Sequence, residues 1–423
     1  MYKVKEITIN NFWHRLNANC SFNDNVNIII GRNGTGKTTF MNILHAALAV
    51  DLDELVENDF STIEIKLSLN KKNKTIKVKK LNPGESAYQL IEFQVSRNKY
   101  ILRAISQDDR RFPSHLRRRA LEDSANLRSE LEKLVSLSSL SVYRLKSSEE
   151  FEVKDRLGKR LISPVDFRLS QLKSELTQYQ LELSQSARHI SATLQKDVLA
   201  SILYSENEDS GLNIPKVFDK NKEQTKLISA YSRLGAIDTG IRKKISFHLT
   251  SIDDAVHKIN SKNKTSVDNF SDVNFAALDA FVRTQKIIGM SLKAEEEINN
   301  IYEQINLFIA TLRDFIPDKI FSLISGDLFV KHLNDEDIPV DKLSSGEKQL
   351  LILLIETLMQ RGRPFVYLTD EPELSLHIEW QRKILPAIKK LNPQAQIIAA
   401  THSPEVASKY RDSLIDMKGV VNG

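Results

Sequence analysis

The chain has 423 residues, of which 41% are hydrophobic and 27% are charged, and this composition indicates a globular protein with a sizeable core. The length predicts two or three domains. With 60 basic and 55 acidic residues the net charge is +5, which is too small to predict a nucleic-acid partner by itself.

Cysteine content and hydropathy limit the cellular setting. A single cysteine, Cys20, excludes an intrachain disulfide framework and a multi-cysteine zinc site. The first residues lack the apolar stretch of a signal peptide, and the longest aliphatic run, Leu350 to Ile355, is far shorter than the roughly 18 residues that span a bilayer. We therefore expect a cytoplasmic protein without a membrane partner.

The first hundred residues are predicted to form sheet. NVNIII, residues 25–30, is a short apolar run that ends at a glycine, as a buried strand does. Apolar and polar residues alternate over 61–70 and again over 76–79, which predicts an antiparallel meander with one buried face.

Two basic runs follow, with six lysines over 71–80 and five arginines over 108–119. They have two interpretations: a solvated edge strand and a solvated helix, or a surface that follows a phosphate backbone.

From about residue 165 the spacing at which apolar residues recur changes from every second residue to a seven-residue repeat. The first stripe is Leu169, Leu172, Leu176, Tyr179, Leu183 and Ile190, and the second is Ile298, Ile301, Ile305, Phe308, Leu312 and Phe315. Such stripes fit an antiparallel helical hairpin of some 30 to 50 Å, or an ordinary helical bundle. Shorter helices are expected around 222–258, with surface loops at 205–211 and 261–272.

After Pro317 strands and helices alternate. Residues 363–370 and 396–402 are compact apolar runs with polar ends, separated by a helix over 380–391. This alternation predicts parallel strands with functional residues at their carboxyl ends.

Four short segments carry functional residue types. GRNGTGKTTF has the spacing of a phosphate-binding loop, in which glycine N–H groups wrap a phosphate chain, Lys37 reaches the β and γ phosphates and Thr38 binds magnesium. Asp370 and Glu371 end a strand, where one carboxylate can hold Mg²⁺ and the next can orient or deprotonate water. His402 ends the following strand and either contacts the γ-phosphate or the attacking water, or is an ordinary surface histidine.

LSSGEKQ precedes an aliphatic helix and also has two interpretations. Ser344 and Glu347 have the spacing of a capping box. The same helix start, with free N–H groups and small side chains, is also suited to receive a phosphate.

These four segments, in this order, resemble those of the ATP-binding-cassette ATPases, and most of all the SMC, Rad50 and RecF branch. The resemblance covers about 1–50 and 320–410. It implies an α/β fold: an ABC-type ATPase head, a P-loop mixed sheet with an antiparallel β subdomain, interrupted by a helical, coiled-coil-like insertion. The head halves would be 1–160 and 318–423, and the insertion 161–317.

The resemblance also implies ATP and Mg²⁺ as cofactors and a homodimer or higher homo-oligomer that encloses ATP between copies. One copy would hold nucleotide through Arg32, Asn33, Gly34, Thr35, Gly36, Lys37, Thr38 and Thr39, and the other would contribute Ser344, Ser345, Gly346 and Glu347. Thr38 and Asp370 would hold the metal, and Glu371 and His402 would be catalytic.

The sequence departs from the family pattern after the acidic pair. Where many members have an aspartate, Ser375 to His377 would form an altered coupling segment. The resemblance also implies a lobe contact made by a glutamine, and Gln89, Gln94 and Gln107 all remain candidates.

In size and motifs the chain resembles ATPase subunits of two-component antiphage systems, such as PARIS (AriA) and Septu with its retron-linked relatives (PtuA). Only 21 residues follow His402 (423 − 402), too few for a Toprim domain, and no H-N-H cluster is apparent. We therefore expect a slow ATPase that is not itself a nuclease and controls a separate Toprim- or HNH-type nuclease effector. The alternatives are a RecF- or Rad50-like DNA clamp and a nucleotide-gated scaffold that hardly hydrolyses ATP.

Overall fold

The computed structural model describes residues 1–70, 72–81, 88–105, 112–140, 151–155, 158–202, 218–233, 237–262, 274–324, 326–374 and 376–422. Several positions named above lie outside them: Lys71, Gln107, Arg110, Arg111, Ser375, the predicted loop at 205–211 and most of that at 261–272. The described chain forms two compact units, a first unit of 1–179 with 304–423 and a second unit of 180–303.

The helices and strands follow in chain order. Up to the long helices they are β1 (Lys3–Phe12), β2 (Leu16–Ser21), β3 (Val26–Ile30), α1 (Lys37–Ala49), α2 (Leu52–Glu57), β4 (Thr62–Leu69), β5 (Lys72–Leu81), β6 (Gln89–Val95), β7 (Asn98–Ala104), α3 (Ser114–Leu134), β8 (Leu137–Leu140), β9 (Phe151–Asp155) and β10 (Gly158–Ile162). The remainder are α4 (Pro164–Ile202), α5 (Lys220–Arg233), α6 (Thr239–Lys262), α7 (Phe275–Phe315), β11 (Lys319–Ile324), β12 (Asp327–His332), β13 (Asp337–Ile338), α8 (Ser345–Met359), β14 (Val366–Asp370), α9 (Ile378–Leu391), β15 (Gln396–Ala400), α10 (Pro404–Ala407), β16 (Leu414–Asp416), α11 (Met417–Val420) and β17 (Val421–Asn422).

A five-stranded parallel sheet of order β16-β3-β15-β14-β8 forms the centre of the first unit. Its three central strands, β3, β15 and β14, are mainly apolar and almost wholly buried, as parallel strands covered by helices are. Asp370 lies level with Ala400, and Ala400 lies level with Ile29. The segments that follow β3, β14 and β15 therefore meet at one edge of the sheet.

A seven-stranded antiparallel sheet, of order β17-β2-β1-β4-β5-β6-β7, includes the predicted meander. One face buries the alternating apolar residues, and its core also contains Phe40, Ile43 and Leu44 of α1. This core fixes α1, and with it the loop before α1, between the two sheets. The predicted α/β fold, interrupted by helices, is confirmed.

The outer face of the antiparallel sheet carries lysines and carboxylates side by side, among them Lys77 and Lys79 of the lysine run. Cross-strand ion pairs of 2.9 to 3.3 Å join Lys66 to Glu6, Lys77 to Glu64 and Lys99 to Glu92. Lys80 turns to the other side, where its Nζ donates to the carbonyl oxygens of Val56 and Asn58. Of these three lysines, Lys77 belongs to the run at 71–80, whereas Lys66 and Lys99 lie on the neighbouring strands β4 and β7.

Two long helices, α4 with 39 residues and α7 with 41, connect the two units along the chain. In the first unit the predicted stripes are buried at Leu169, Leu172, Leu176 and Tyr179 and at Ile305, Phe308, Leu312 and Phe315. Their pairing as a coiled coil stays a prediction. Among the described residues, no helix is long and apolar enough to cross a membrane.

The second unit is helical and has its own small apolar clusters. Helices α5 and α6 are the shorter helices expected around 222–258. One cluster joins them to α7 through Leu227, Ala230, Ile245, Leu249 and Ile288.

Candidate functional site

The loop between β3 and α1 owes its shape to three glycines. Gly34 and Gly36 have φ angles of +78° and +89°, in the left-handed region that favours glycine. A Cβ on Gly31 would lie 2.7 Å from the hydroxyl oxygen of Thr35, too close for any side chain. Helix α1 begins at Lys37, so its free N–H groups face the loop.

The other predicted residues of this loop have distinct positions. Thr35 donates its hydroxyl hydrogen to the carbonyl oxygen of Arg32, at 2.9 Å, and so closes the turn. Arg32 and Asn33 are exposed, and Thr39 is half-buried in the first turn of α1. The loop is thus braced internally, while its tip is open to a ligand.

Lys37 is buried, with an exposed fraction of 4%. Its ammonium group donates to the carbonyl oxygens of Gly31, at 2.9 Å, and Arg32, at 3.3 Å. Burial lowers its pKa, although Asp370 and Glu371 act in the opposite direction. No ion pair of Lys37 is present within the described ranges. A buried ammonium bonded to carbonyl oxygens, in a loop lined with N–H groups, fits a phosphate.

Thr38 and Asp370 come together at the amino end of α1. Thr38 Oγ1 donates to Asp370 Oδ2 at 2.8 Å. A hydroxyl and a carboxylate oxygen are the ligand types that Mg²⁺ prefers, and it commonly binds through one or two protein groups plus substrate phosphates. The predicted metal pair therefore has a donor set that fits this ion.

Glu371 and His402 face each other across the sheet edge. His402 Nε2 lies 3.7 Å from Glu371 Oε1, and both side chains are about one-third exposed. Glu371 has a φ of 52°, a left-handed conformation that is uncommon for a residue other than glycine. Its backbone N–H donates to Ala400 at 2.8 Å, which fixes the turn after β14 to β15.

Glu373, which the sequence analysis did not single out, is buried beside the same loop. Its Oε1 accepts from the backbone N–H groups of His402, at 3.0 Å, and Ser403, at 3.1 Å, and from the Thr401 hydroxyl. The repeated acid in DEPE was the available signal in the sequence. Its partners, however, come from a loop almost thirty residues later.

The start of α8 forms the predicted capping box. Ser344 Oγ accepts from the Glu347 N–H at 3.3 Å, and Glu347 Oε2 accepts from the Ser344 N–H at 2.9 Å. Glu347 also pairs with Lys319 of β11, at 2.6 Å. Ser344 and Ser345 are exposed, whereas Gly346 is buried. Within the described part of the chain, no hydrogen bond joins this cap to the phosphate loop.

Two ion pairs tie α8 to the beginning of α4. Lys348 pairs with Asp166 at 2.8 Å. Both Nε and Nη2 of Arg168 contact Glu356 Oε1, at 2.9 and 2.7 Å. The side chain of Glu356 is 5% exposed, and burial raises its pKa although Arg168 opposes the shift. The helix with the exposed serine cap is therefore linked to the helix that leads into the second unit.

Trp13, also missed from the sequence, lies beside the phosphate loop. Its ring stacks on Phe12 with centroids 4.9 Å apart, and a Cβ on Gly36 would lie 3.0 Å from either ring. Trp13 is only half-buried. An aromatic residue in a polar turn between two strands was the available signal, but the sequence did not show that this turn meets α1.

The remaining predicted positions lie elsewhere. Gln89 and Gln94 donate to backbone oxygens within the antiparallel sheet, at Leu81 and Leu90 for Gln89 and at Ser96 for Gln94. His377 caps α9 by accepting from the N–H of Glu379, at 3.4 Å. The contact expected from one of the glutamines stays a prediction.

A glycine-rich loop that leads from a parallel strand into a helix, with an aspartate at the end of a nearby strand, defines a P-loop nucleotide-binding protein. Residues 2–407 match the family model AAA_15, described as an AAA ATPase domain. The chain therefore belongs to this ATPase family, whose domain binds nucleotide.

Curated relatives match over shorter stretches. The chain is 33% identical to the Retron Ec83 probable ATPase of Escherichia coli, over 27% of this chain and 25% of that protein. It is 32% identical to Septu protein PtuA of Bacillus thuringiensis, over 20% of this chain and 26% of that protein. The matched stretches thus span about a quarter of these relatives. They relate the chain to a probable ATPase of a retron and to a protein of Septu.

Two similar solved structures are SMC heads. One is an Smc head domain with an extended coiled coil, bound to the C-terminal domain of ScpA, from Pyrococcus furiosus. It superposes with a TM-score of 0.43 and 13% sequence identity, and the match covers 96% of this chain and 92% of that chain. The other is the SMC head domain from Thermotoga maritima, with a TM-score of 0.39 and 11% sequence identity. That match covers 96% of this chain and 91% of the other.

Proposed function

We propose that this ATPase binds ATP with Mg²⁺, encloses it between two copies of the chain and hydrolyses it slowly to control a separate effector. The observation that carries the proposal is the buried ammonium of Lys37, which lies in the glycine loop on two carbonyl oxygens. A triphosphate would supply the direct ion pair that Lys37 does not make among the described residues.

The residues at the sheet edge have separate roles in binding and hydrolysing ATP. Loop N–H groups and Lys37 hold the phosphates, and Thr38 and Asp370 hold Mg²⁺, which neutralises phosphate charge when bound. Glu371, about one-third exposed, orients or deprotonates the attacking water. His402 lies near enough to Glu371 to contact the same water or the γ-phosphate. Trp13 offers its half-buried face to the base.

A second copy completes the site. Ser345 is exposed at the start of α8, where the first N–H groups have no partner within the helix, and a helix start of this kind attracts a phosphate. Since none of its described contacts reaches the phosphate loop, we assign Ser345 and Gly346 to the nucleotide held by the other copy. The capping box and the phosphate receptor are then compatible, because Glu347 secures the helix while Ser345 faces outward.

The proposed task is defence through a partner protein. It is supported by the partial similarity to the retron ATPase and to Septu PtuA. We propose that the chain does not cut nucleic acid itself but holds a Toprim- or HNH-type nuclease effector. The alternative, a DNA clamp, is disfavoured by the lysines of the outer sheet face that pair with glutamates. A steep fall of DNA affinity with salt would instead support the clamp.

Mixing two inactive variants tests the composite site. Lys37→Ala damages the phosphate loop, and Ser345→Arg damages the helix start, so each protein alone should be inactive. In a mixed dimer one site combines the intact loop of one copy with the intact helix start of the other. Mixing should therefore restore part of the ATPase activity. If the mixture stays inactive although both variants are folded, the enclosed site is wrong.

Glu371→Gln tests the catalytic assignment. This variant should bind ATP normally, hydrolyse it at least about 100-fold more slowly and accumulate as an ATP-dependent dimer in size-exclusion chromatography with light scattering. Normal turnover by Glu371→Gln would contradict the role given to this residue.

A further inference from the structure

Glu373 holds three consecutive residues of the loop after β15. One oxygen, Oε1, accepts from the Thr401 hydroxyl and from the N–H groups of His402 and Ser403, at 3.0 and 3.1 Å for the two N–H groups. The residue is 9% exposed. Hydrogen bonds from N–H groups to a carboxylate are stronger than those to a neutral acceptor. A buried carboxylate therefore fixes the backbone from which the His402 side chain projects.

The rest of this loop is fixed by the sheet and by itself. Thr401 donates its N–H to the carbonyl oxygen of Ile29 in β3, at 3.1 Å. Its hydroxyl oxygen accepts from the N–H of Ser403 at 2.9 Å. Thr401 is 1% exposed. Together these bonds leave the backbone at His402 with little freedom, and Glu373 is the one charged contributor to them among the described residues.

The turn that carries Glu373 also carries Glu371. Within this turn, Leu374 donates its N–H to the carbonyl oxygen of Glu371, at 3.1 Å. One short turn therefore presents Glu371, 3.7 Å from His402 Nε2, and the carboxylate that fixes the backbone of His402. The relative placement of the two proposed catalytic side chains thus depends on Glu373.

We propose that Glu373 is a positioning residue for ATP hydrolysis, which sets His402 against Glu371 by holding the backbone of residues 401–403. This inference rests on the proposed function, because it needs His402 to act in hydrolysis. Glu373 itself does not have to touch ATP or water in this role.

The test compares Glu373→Ala and Glu373→Gln with a matched control, Glu405→Gln. Glutamine keeps a neutral oxygen that can accept from the two N–H groups, whereas alanine keeps none. Glu405 is a carboxylate of the neighbouring helix α10 that pairs with the side chain of Arg382. Its substitution removes a charge near the loop without removing a bond to the backbone of His402.

Steady-state ATPase rates and binding of a fluorescent ATP analogue give the two readouts. A small misplacement of a catalytic group costs on the order of 100-fold in rate. We expect kcat to fall about 10- to 100-fold in Glu373→Ala and less in Glu373→Gln, with analogue affinity within about threefold of the wild type. Glu405→Gln should keep wild-type kcat. Equal losses of kcat and of binding capacity would indicate misfolding and overturn the positioning role.

A double variant shows whether Glu373 acts through His402. If it does, Glu373→Ala should slow the wild type but should add little to the loss already caused by His402→Ala. If Glu373→Ala is unstable, the same comparison can be made with Glu373→Gln. Equal, additive losses in both backgrounds would overturn the inference, as would wild-type kcat in both Glu373 variants. An inactive wild-type chain, or normal turnover by His402→Ala, would instead overturn the proposed function.

Discussion

Thr38 and Asp370 are 332 positions apart in the sequence, yet the Thr38 hydroxyl donates to the Asp370 carboxylate at 2.8 Å. The contact joins the amino end of α1 to the carboxyl end of β14. Both halves of the proposed metal site are therefore brought together by the parallel sheet, which places β14 next to β15 and β15 next to β3.

The first prediction concerns this pair. Asp370→Asn and Thr38→Ala should each raise the Mg²⁺ concentration for half-maximal ATPase activity by about tenfold or more, because each removes an oxygen suited to the ion. The measurement is a Mg²⁺ titration at saturating ATP. The exposed Asp412 provides the control substitution, Asp412→Asn. An unchanged Mg²⁺ requirement in both variants would remove the pair from the metal site.

The second prediction concerns Trp13. Trp13→Ala should raise KM for ATP about threefold to tenfold and change kcat less, since stacking of a base on an aromatic ring contributes about 1 to 3 kcal/mol to binding. Phe247→Ala, which removes an exposed aromatic ring from the second unit, is the control. A fall in kcat with constant KM would argue against a base contact.

The third prediction concerns pH and the cap of α8. Burial acts to raise the pKa of Glu347, but hydrogen bonds from Lys319 and Ser344 outweigh it and leave the pKa below its ordinary value of 4.5. A carboxyl group whose pKa is lower in the folded than in the unfolded state stabilises the fold at pH values above its unfolded-state pKa. This stabilisation is lost as the pH falls through the folded-state pKa. Glu347→Gln should therefore lower Tm near neutral pH, and the difference from wild type should shrink below about pH 4.5.

Differential scanning fluorimetry of both proteins across pH checks this expectation. Asp335→Asn removes a partner of the more exposed pair with Lys331, and it should leave Tm nearly unchanged. A Tm difference for Glu347→Gln that is constant down to pH 3 would show that the charge of Glu347 does not contribute.

The fourth prediction concerns the link between α4 and α8. Arg168→Met should destabilise the protein by about 3 kcal/mol, because it leaves the Glu356 carboxylate buried without its cation. This value is near the lower end for a buried ion pair, because the side chain of Arg168 is one-third exposed. Burial raises the pKa of Glu356, so the folded state favours its protonated form. The penalty should accordingly become smaller as the pH falls.

Urea unfolding of the single variants and of Arg168→Met with Glu356→Met completes a double-mutant cycle. The double variant should be more stable than Arg168→Met alone, because no charge is then left buried. Arg118→Met, which breaks an exposed pair with Glu122, should cost less than about 1 kcal/mol. Additive losses in the cycle would show that Arg168 and Glu356 do not interact.

The parts of the fold and site that the sequence predicted are those encoded locally. The phosphate loop is a continuous segment in which glycine, lysine and threonine spacing defines the geometry. The ends of β14 and β15 were visible because buried parallel strands are short aliphatic runs with polar ends. The capping box of α8 depends only on Ser344 and Glu347, three positions apart.

Contacts between distant segments were not predictable from the same patterns. Glu373 binds a loop that follows another strand, and Trp13 meets a helix that begins 24 positions later (37 − 13). The lysine run was ambiguous because its composition does not show which side chains face partner strands. Lys77 pairs with a glutamate on β4, whereas Lys80 turns to carbonyl oxygens on the other side.

The position of β3 in its sheet has a consequence for synthesis of the protein on the ribosome. Its two neighbours, β15 and β16, come much later in the chain, and the nearer one begins 366 positions after β3 ends (396 − 30). The strand before the phosphate loop therefore has no hydrogen-bonding neighbour in its sheet until these residues have been synthesised. Nascent chains should expose this apolar segment during that part of elongation, a period in which chaperones can protect it from aggregation.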